Sequence, residues 1–187
     1  MITNRIKELR KRFKEFEIDG YIVPKNDEFF SEYAANDRLR NISNFTGSAG
    51  LAIILKRKSY LFVDGRYTIQ AQSESGKNYK IIEIHKKLPH TIVKNCKLGF
   101  DPHLFTTNKL ERYFSNNNKL ISIDKNLIDI IHKNKIKKTK SFFSLPKKIT
   151  GQSHQSKIDN IINFLKLNKA DHLFVSAPEN VAWLLNI

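Results

Sequence analysis

Six histidines, one cysteine and a few short polar motifs are the side chains here with evident chemical potential. His85, His90, His103, His132, His154 and His172 are scattered, and none has a histidine partner three or four residues away. That spacing would set two imidazoles on one helix face for zinc, and no H-E-x-x-H occurs either. Ser153-His154 lacks a nearby acid to orient the imidazole, so a hydrolase triad has no basis there. Cys96, placed between Lys94 and Lys97 ahead of an apolar run, reads as a small half-buried residue. A single cysteine excludes both a disulfide framework and a multi-cysteine zinc site. Thr46-Gly47-Ser48-Ala49-Gly50 is glycine-rich, but a phosphate cradle needs a helix behind it. The β-like run Leu51 to Leu55 follows instead, which favours a turn where backbone approaches backbone. Arg66, in Asp64-Gly65-Arg66-Tyr67, is different. It sits where a strand hands over to a helix, and a cation there faces the positive end of the helix dipole. Two roles remain open for it. One is a structural brace with Asp64; the other is an exposed fork offered to a peptide carboxylate or carbonyl.

The elements that must hold these residues follow from apolar spacing. Ile2, Ile6, Leu9, Phe13 and Phe16 form one stripe of an amphipathic helix, stopped by Asp19-Gly20. Tyr21-Ile22-Val23 is a short buried strand ended by Pro24, followed by a polar stretch from Lys25 to Asn41. Leu51 to Leu55 and Tyr60 to Val63 are joined tightly enough for an antiparallel hairpin. A helix is expected over 66–75 with Gly76 as its stop, then a strand over 80–84 and a helical turn or two within 89–95. A strand over 97–100, a helix from Thr106 or Thr107 to Phe114, a strand over 120–123 and a short helix over 126–131 complete the unit. Strands alternating with helices, plus one hairpin, predict an α/β domain: a mixed β-sheet flanked by helices.

This first domain is expected to span 1–131, with a basic linker over 132–152 and the start of a second α/β unit over 153–187. In that second unit Ile158, Ile161, Ile162, Leu165 and Leu167 predict a helix face, and His172 to Val175 a strand. A unit so small, ending on Trp183, Leu184, Leu185 and Ile187, cannot close a core alone, so it is expected to be incomplete.

The 187 residues carry 33 basic against 18 acidic side chains, a formal charge of +15 that invites a nucleic-acid reading. Composition argues otherwise: 25 Lys, 8 Arg, 23 Ile and 18 Asn are the drift of an AT-rich genome. A nucleic-acid reader would draw more on Arg, whose fork pairs bidentately with phosphate and guanine. The densest cluster, His132 to Lys148 with Phe142 and Phe143, reads as a solvated connector. No apolar run is long enough to span a bilayer, and the charged N-terminus lacks a secretory core, so a cytoplasmic protein is expected.

Three stretches carry more information together than apart. They are Tyr21 to Pro24 with Asp27-Glu28-Phe29 and Glu32-Tyr33; Phe45 to Gly50; and Phe62 to Tyr67 with Gln70-Ala71. In this order and spacing they resemble the N-terminal, creatinase-like domain of the three-domain Xaa-Pro aminopeptidases. Ala177 to Ile187 resembles the opening of that family's second domain. The resemblance implies a homodimeric metallopeptidase that removes an N-terminal residue preceding proline, acting with two divalent ions, usually manganese. Those ions belong to a C-terminal pita-bread domain not represented here, so no metal ligand, catalytic residue or cofactor is assigned within this chain. The one family role that maps onto it is substrate binding by Arg66. Catalysis by the chain alone is not expected, because activating water at neutral pH needs the metal site. A non-catalytic peptide-binding module of the same fold, as in certain histone-chaperone subunits, is the alternative, with a basic nucleic-acid binder third.

Overall fold

The computed structural model describes residues 2–31, 35–114, 117–132 and 141–187. Glu32 and Tyr33 of the first motif, and residues 133–140 of the basic cluster, lie outside the described residues. Two compact units divide the chain, Met1–Lys135 and Ile136–Ile187.

The first unit is built on a six-stranded sheet. Its strands are β1 (Gly20–Pro24), β2 (Gly50–Leu55), β3 (Ser59–Val63), β4 (Lys80–Glu83), β5 (Lys97–Phe100) and β6 (Lys119–Ser122). Their order is β4-β3-β2-β1-β5-β6. β1–β2 and β2–β3 pair antiparallel, while β3–β4, β1–β5 and β5–β6 pair parallel, so β2 alone runs against the other five. The expected hairpin is present, with Gly50 opposite Val63 and Ile54 opposite Ser59. All five residues of β1 are buried, because the sheet is covered on both faces and neither set of alternating side chains meets water.

One face holds Tyr21, Val23, Ala52, Ile54, Leu61 and Val63 under α1 (Ile2–Arg12), α2 (Arg38–Ser43), α3 (Thr68–Ser75) and α6 (Leu127–Ile131). The stripe read from the sequence supplies Ile2, Ile6, Leu9 and Phe13 to this core, and Leu9 is wholly buried. Burying a side chain of that kind is worth about 1.5–3 kcal/mol. The other face holds Ile22, Leu51, Ile53, Phe62 and Leu98 against α4 (Pro89–Ile92) and α5 (Thr107–Phe114). Small residues matter where the layers touch. A Cβ on Gly20 would meet the Ile54 carbonyl oxygen at 2.8 Å, and one on Gly47 would meet the Phe45 ring at 2.3 Å. The glycine-rich turn therefore admits an aromatic ring rather than another backbone.

Some boundaries differ from expectation. α2 begins within what reads as a polar stretch and runs two residues past its end; Asp37 caps it by accepting from Arg40 N at 2.9 Å, and Asn44 closes it at φ 66°. The predicted helix from Arg66 begins instead as a 3-10 turn over Gly65–Tyr67. The second unit contains α7 (Lys147–Thr150), α8 (His154–Leu167) and α9 (Pro178–Leu185). The strand expected over 172–175 does not form: no described strand of this unit is there to pair with it, and Phe174 is 89% exposed. The isoleucines of α8 are at best half-buried, whereas Lys157 is buried. Its ammonium donates to the Trp183 carbonyl at 2.6 Å and to Asn186 Oδ1 at 2.7 Å, and lies 4.1 Å from the Trp183 ring centroid. Part of the stretch read as linker belongs to this packing, for Leu145 N donates to the Asn186 carbonyl at 2.7 Å.

Candidate functional site

Five strands end, and β2 begins, along one edge of the sheet, and there a cleft of about 490 Å³ opens. Ligands of open α/β sheets collect at the carboxyl ends of strands, because loops there carry side chains that no core packing consumes. The cleft floor is Gly50, Leu51, Phe62 and Val63, and its polar rim includes Lys25, Ser48, Asp64, His85 and Lys109.

Asp64, directly after β3, organises the first side of this rim. Its Oδ1 accepts from Arg66 N at 3.0 Å and from Arg66 Nε at 2.9 Å, capping the 3-10 turn and holding the guanidinium together. Those two bonds from Arg66, backbone first, keep the Asp64 carboxyl below its ordinary range, with His85 Nε2 at 3.6 Å from its other oxygen adding to the effect. The brace foreseen in the sequence is thus present, yet it does not bury the arginine: the Arg66 side chain is 72% exposed. Its Cζ also lies 5.4 Å from the Tyr67 ring centroid.

The neighbouring motifs fix this turn from behind. Tyr67 OH and Ser48 Oγ are 3.0 Å apart, and the Tyr67 and Phe45 rings meet edge to face at 5.8 Å. Glu74 accepts from Thr46 N at 2.8 Å and from Thr46 Oγ1 at 2.7 Å, and Gln70 Nε2 donates to both residues. Burial pushes the Glu74 carboxyl up, but these bonds outweigh it and leave the group below its usual value. The second and third motif stretches are therefore one structure. The first stretch meets it through β1, paired with β2, and through Lys25 N, which donates to the Gly50 carbonyl at 3.0 Å; the Lys25–Asp37 ion pair and Glu28, which accepts from Arg38 Nη2 at 2.6 Å, tie the same stretch to α2.

Lys109 escaped the sequence reading. It occupies the first turn of α5, beside Thr106, whose Oγ1 accepts from Lys109 N at 3.3 Å. Its only sequence signal is aromatic company, Phe105 before it and Tyr113 one helical turn after. The ammonium donates to Asn26 Oδ1 at 3.1 Å and lies 5.7 Å from the Phe105 ring centroid. Burial lowers its pKa.

The other chemical candidates are structural. Ser153 caps α8 by accepting from Ser156 N at 3.2 Å. Cys96 is half-buried, its thiol pushed up chiefly by burial. Among the described residues no three His, Cys, Asp or Glu side chains converge as a metal site, so those residues offer no donor set for the ions implied by the resemblance.

Comparison with known proteins identifies this architecture. Residues 5–131 match a family model described as the creatinase/prolidase N-terminal domain, and residues 132–187 match a second model of the same description. The chain belongs to the creatinase/prolidase N-terminal domain family. A probable Xaa-Pro aminopeptidase P of Laccaria bicolor is 35% identical over 99% of this chain and 31% of its own length. Xaa-Pro aminopeptidase 2 of Rattus norvegicus is 30% identical over 99% of this chain and 30% of its own. The chain thus spans about a third of the curated relatives it matches. The X-prolyl aminopeptidase of Caenorhabditis elegans, described as a cytosolic enzyme with a di-nuclear active site, superposes with a TM-score of 0.76 at 25% identity, covering all of this chain and 34% of that one. The N-terminal domain of the cytoplasmic peptidase PepQ of Mycobacterium tuberculosis shares the creatinase-like fold over 69% of this chain, with a TM-score of 0.52. No helix among the described residues is long and apolar enough to cross a membrane.

Proposed function

We propose that this chain is the N-terminal recognition portion of a proline-specific metalloaminopeptidase, with Arg66 as its contact to the substrate peptide. The observation that carries the reading is the Asp64–Arg66 turn. Asp64 and the Tyr67–Ser48 contact orient a largely exposed guanidinium beside a cleft at the sheet edge, in a chain aligned along 99% of its length with Xaa-Pro aminopeptidases. A fork held in this way suits a peptide carbonyl or carboxylate. In this reading the first domain covers 1–131 and a second begins after the basic segment. The intact enzyme is a cytoplasmic homodimer acting with two divalent ions, manganese for preference, and the ions and the hydrolytic step belong to sequence the relatives carry beyond the matched third. The chain by itself does not cleave peptides.

The test is binding of the peptide Ala-Pro-Ala-Ala to the chain and to its Arg66→Ala variant. Loss of a charge-assisted contact predicts affinity weakened about 10- to 150-fold. Melting temperature should hold steady, because so exposed a pair contributes little to stability. Arg66→Lys should recover only part of the affinity, since an ammonium lacks the planar fork. Unchanged affinity together with a lowered melting temperature would make Arg66 a brace and nothing more.

A further inference from the structure

The geometry points to a carboxylate-binding site in the cleft, centred on Lys109, which on the peptidase reading receives the C-terminal carboxylate of a short peptide substrate. Charge around the cleft carries the argument. Lys25 is neutralised by Asp37, and Asp64 by Arg66. Lys109 has no such partner: among the described residues no carboxylate lies within ion-pair distance of its ammonium, which has Asn26 Oδ1 as its hydrogen-bond acceptor. An ammonium has three donors, so two remain to be satisfied from the cleft that Lys109 lines.

A half-buried cation without a counter-charge is a poor contributor to stability, because burial disfavours its charged form, and among the described residues the neutral Asn26 acceptor and the Phe105 ring offset that only in part. The lowered pKa of Lys109, caused by burial, is the signature of that state. An anion entering the cleft would supply the missing charge. One uncompensated positive charge suits a singly charged carboxylate better than a phosphate dianion. The remaining walls suit an organic body, since Phe30, Leu51, Phe62, Val63 and Ile84 are apolar, with Ser48 and Tyr113 offering hydroxyls. A volume of about 490 Å³ lies within the range of small-molecule sites.

The carboxylate could be a chain terminus or an acidic side chain, and the experiment separates them. Isotope-labelled lysine in the 187-residue chain allows the Lys109 ε-methylene signal to be followed during titration. The probes are Ala-Pro-Ala-Ala, its C-terminal amide, the amide of Ala-Pro-Ala-Glu, and sodium acetate. The free acid is expected to move the Lys109 signal and to bind about tenfold more tightly than its amide. Lys109→Gln should bring the acid down to the level of the amide and leave amide binding unchanged. If the glutamyl amide matches the free acid, the site takes carboxylates of either origin; if not, it takes the terminus. Measurable but equal binding of acid and amide, wild-type binding of the acid by Lys109→Gln, or a Lys109 signal that neither the free acid nor acetate moves overturns the site. Its failure is separable from that of the functional reading. Peptide binding that needs Arg66 but ignores Lys109 and the terminal charge removes the carboxylate site alone. Acetate binding that needs Lys109, with proline peptides ignored, keeps the site and removes the peptidase reading.

Discussion

Replacing Arg38 with methionine removes the guanidinium that ties α2 to α6 while keeping an unbranched stem. The Arg38 side chain is 8% exposed, against 37% for Asp129 and 44% for Glu28. Arg38 Nε donates to the two Asp129 oxygens at 3.1 and 2.9 Å, and Nη2 donates to Asp129 Oδ2 at 2.8 Å and to Glu28 Oε1 at 2.6 Å. Deleting one partner of a fully buried pair costs roughly 3–5 kcal/mol, because the other charge is stranded. Here both acids reach water, and Asp129 keeps the Asn36 amide at 2.8 Å, so the stranding is relieved. The expected loss is about 2–3 kcal/mol. For a unit of this size that lowers Tm by about 6–15 °C. Urea unfolding followed by near-ultraviolet tyrosine dichroism measures it, since all 6 tyrosines fall within the first unit. Asp129→Asn and the double variant complete a cycle, whose coupling should reach about 1 kcal/mol or more. A single-variant loss below about 0.5 kcal/mol, or strictly additive effects, would refute the argument that this pair joins the two helices.

Gly20→Ala sets a methyl 2.8 Å from the Ile54 carbonyl oxygen, where backbone cannot yield, so stability should fall by about 1–3 kcal/mol in the same assay. Lys157→Met leaves the Trp183 carbonyl and Asn186 Oδ1 without their donor; fluorescence of the sole tryptophan should report a urea midpoint lowered by the equivalent of about 1–3 kcal/mol. Burial holds the Tyr21 and Tyr79 hydroxyls above the usual tyrosine range. The folded state therefore binds those protons more tightly than the unfolded chain does. Their contribution to stability should be flat below about pH 10 and then fall by up to about 1.4 kcal/mol per pH unit per tyrosine. An alkaline spectrophotometric titration should accordingly show these two tyrosines ionising only as the domain unfolds, and their early ionisation would contradict it.

What the sequence determined by itself is local. The α1 stripe, the short apolar strands and the hairpin all depend on neighbours within a few residues, and such spacing is written directly in the chain. The same holds for Asp64, which could be foreseen to cap and pair because Arg66 is two positions away. α2 was encoded locally too, by Asp37, the Leu39–Ile42 spacing and Asn44, but its brevity hid it within polar surroundings. Tertiary structure decided the rest. A strand needs a partner, so apolar content alone could not make 172–175 into one. The burial of Lys157 rather than the isoleucines of α8 depends on a carbonyl 26 residues away. Arg38 meets Asp129 across 91 residues, and Lys109 meets Asn26 across 83. Whether a lysine or arginine ends in solvent, in an ion pair or alone in a cleft depends on which distant loops the sheet order brings to its edge. Residue spacing along a chain carries no record of that, because the energies that fix it arise only once the strands are paired.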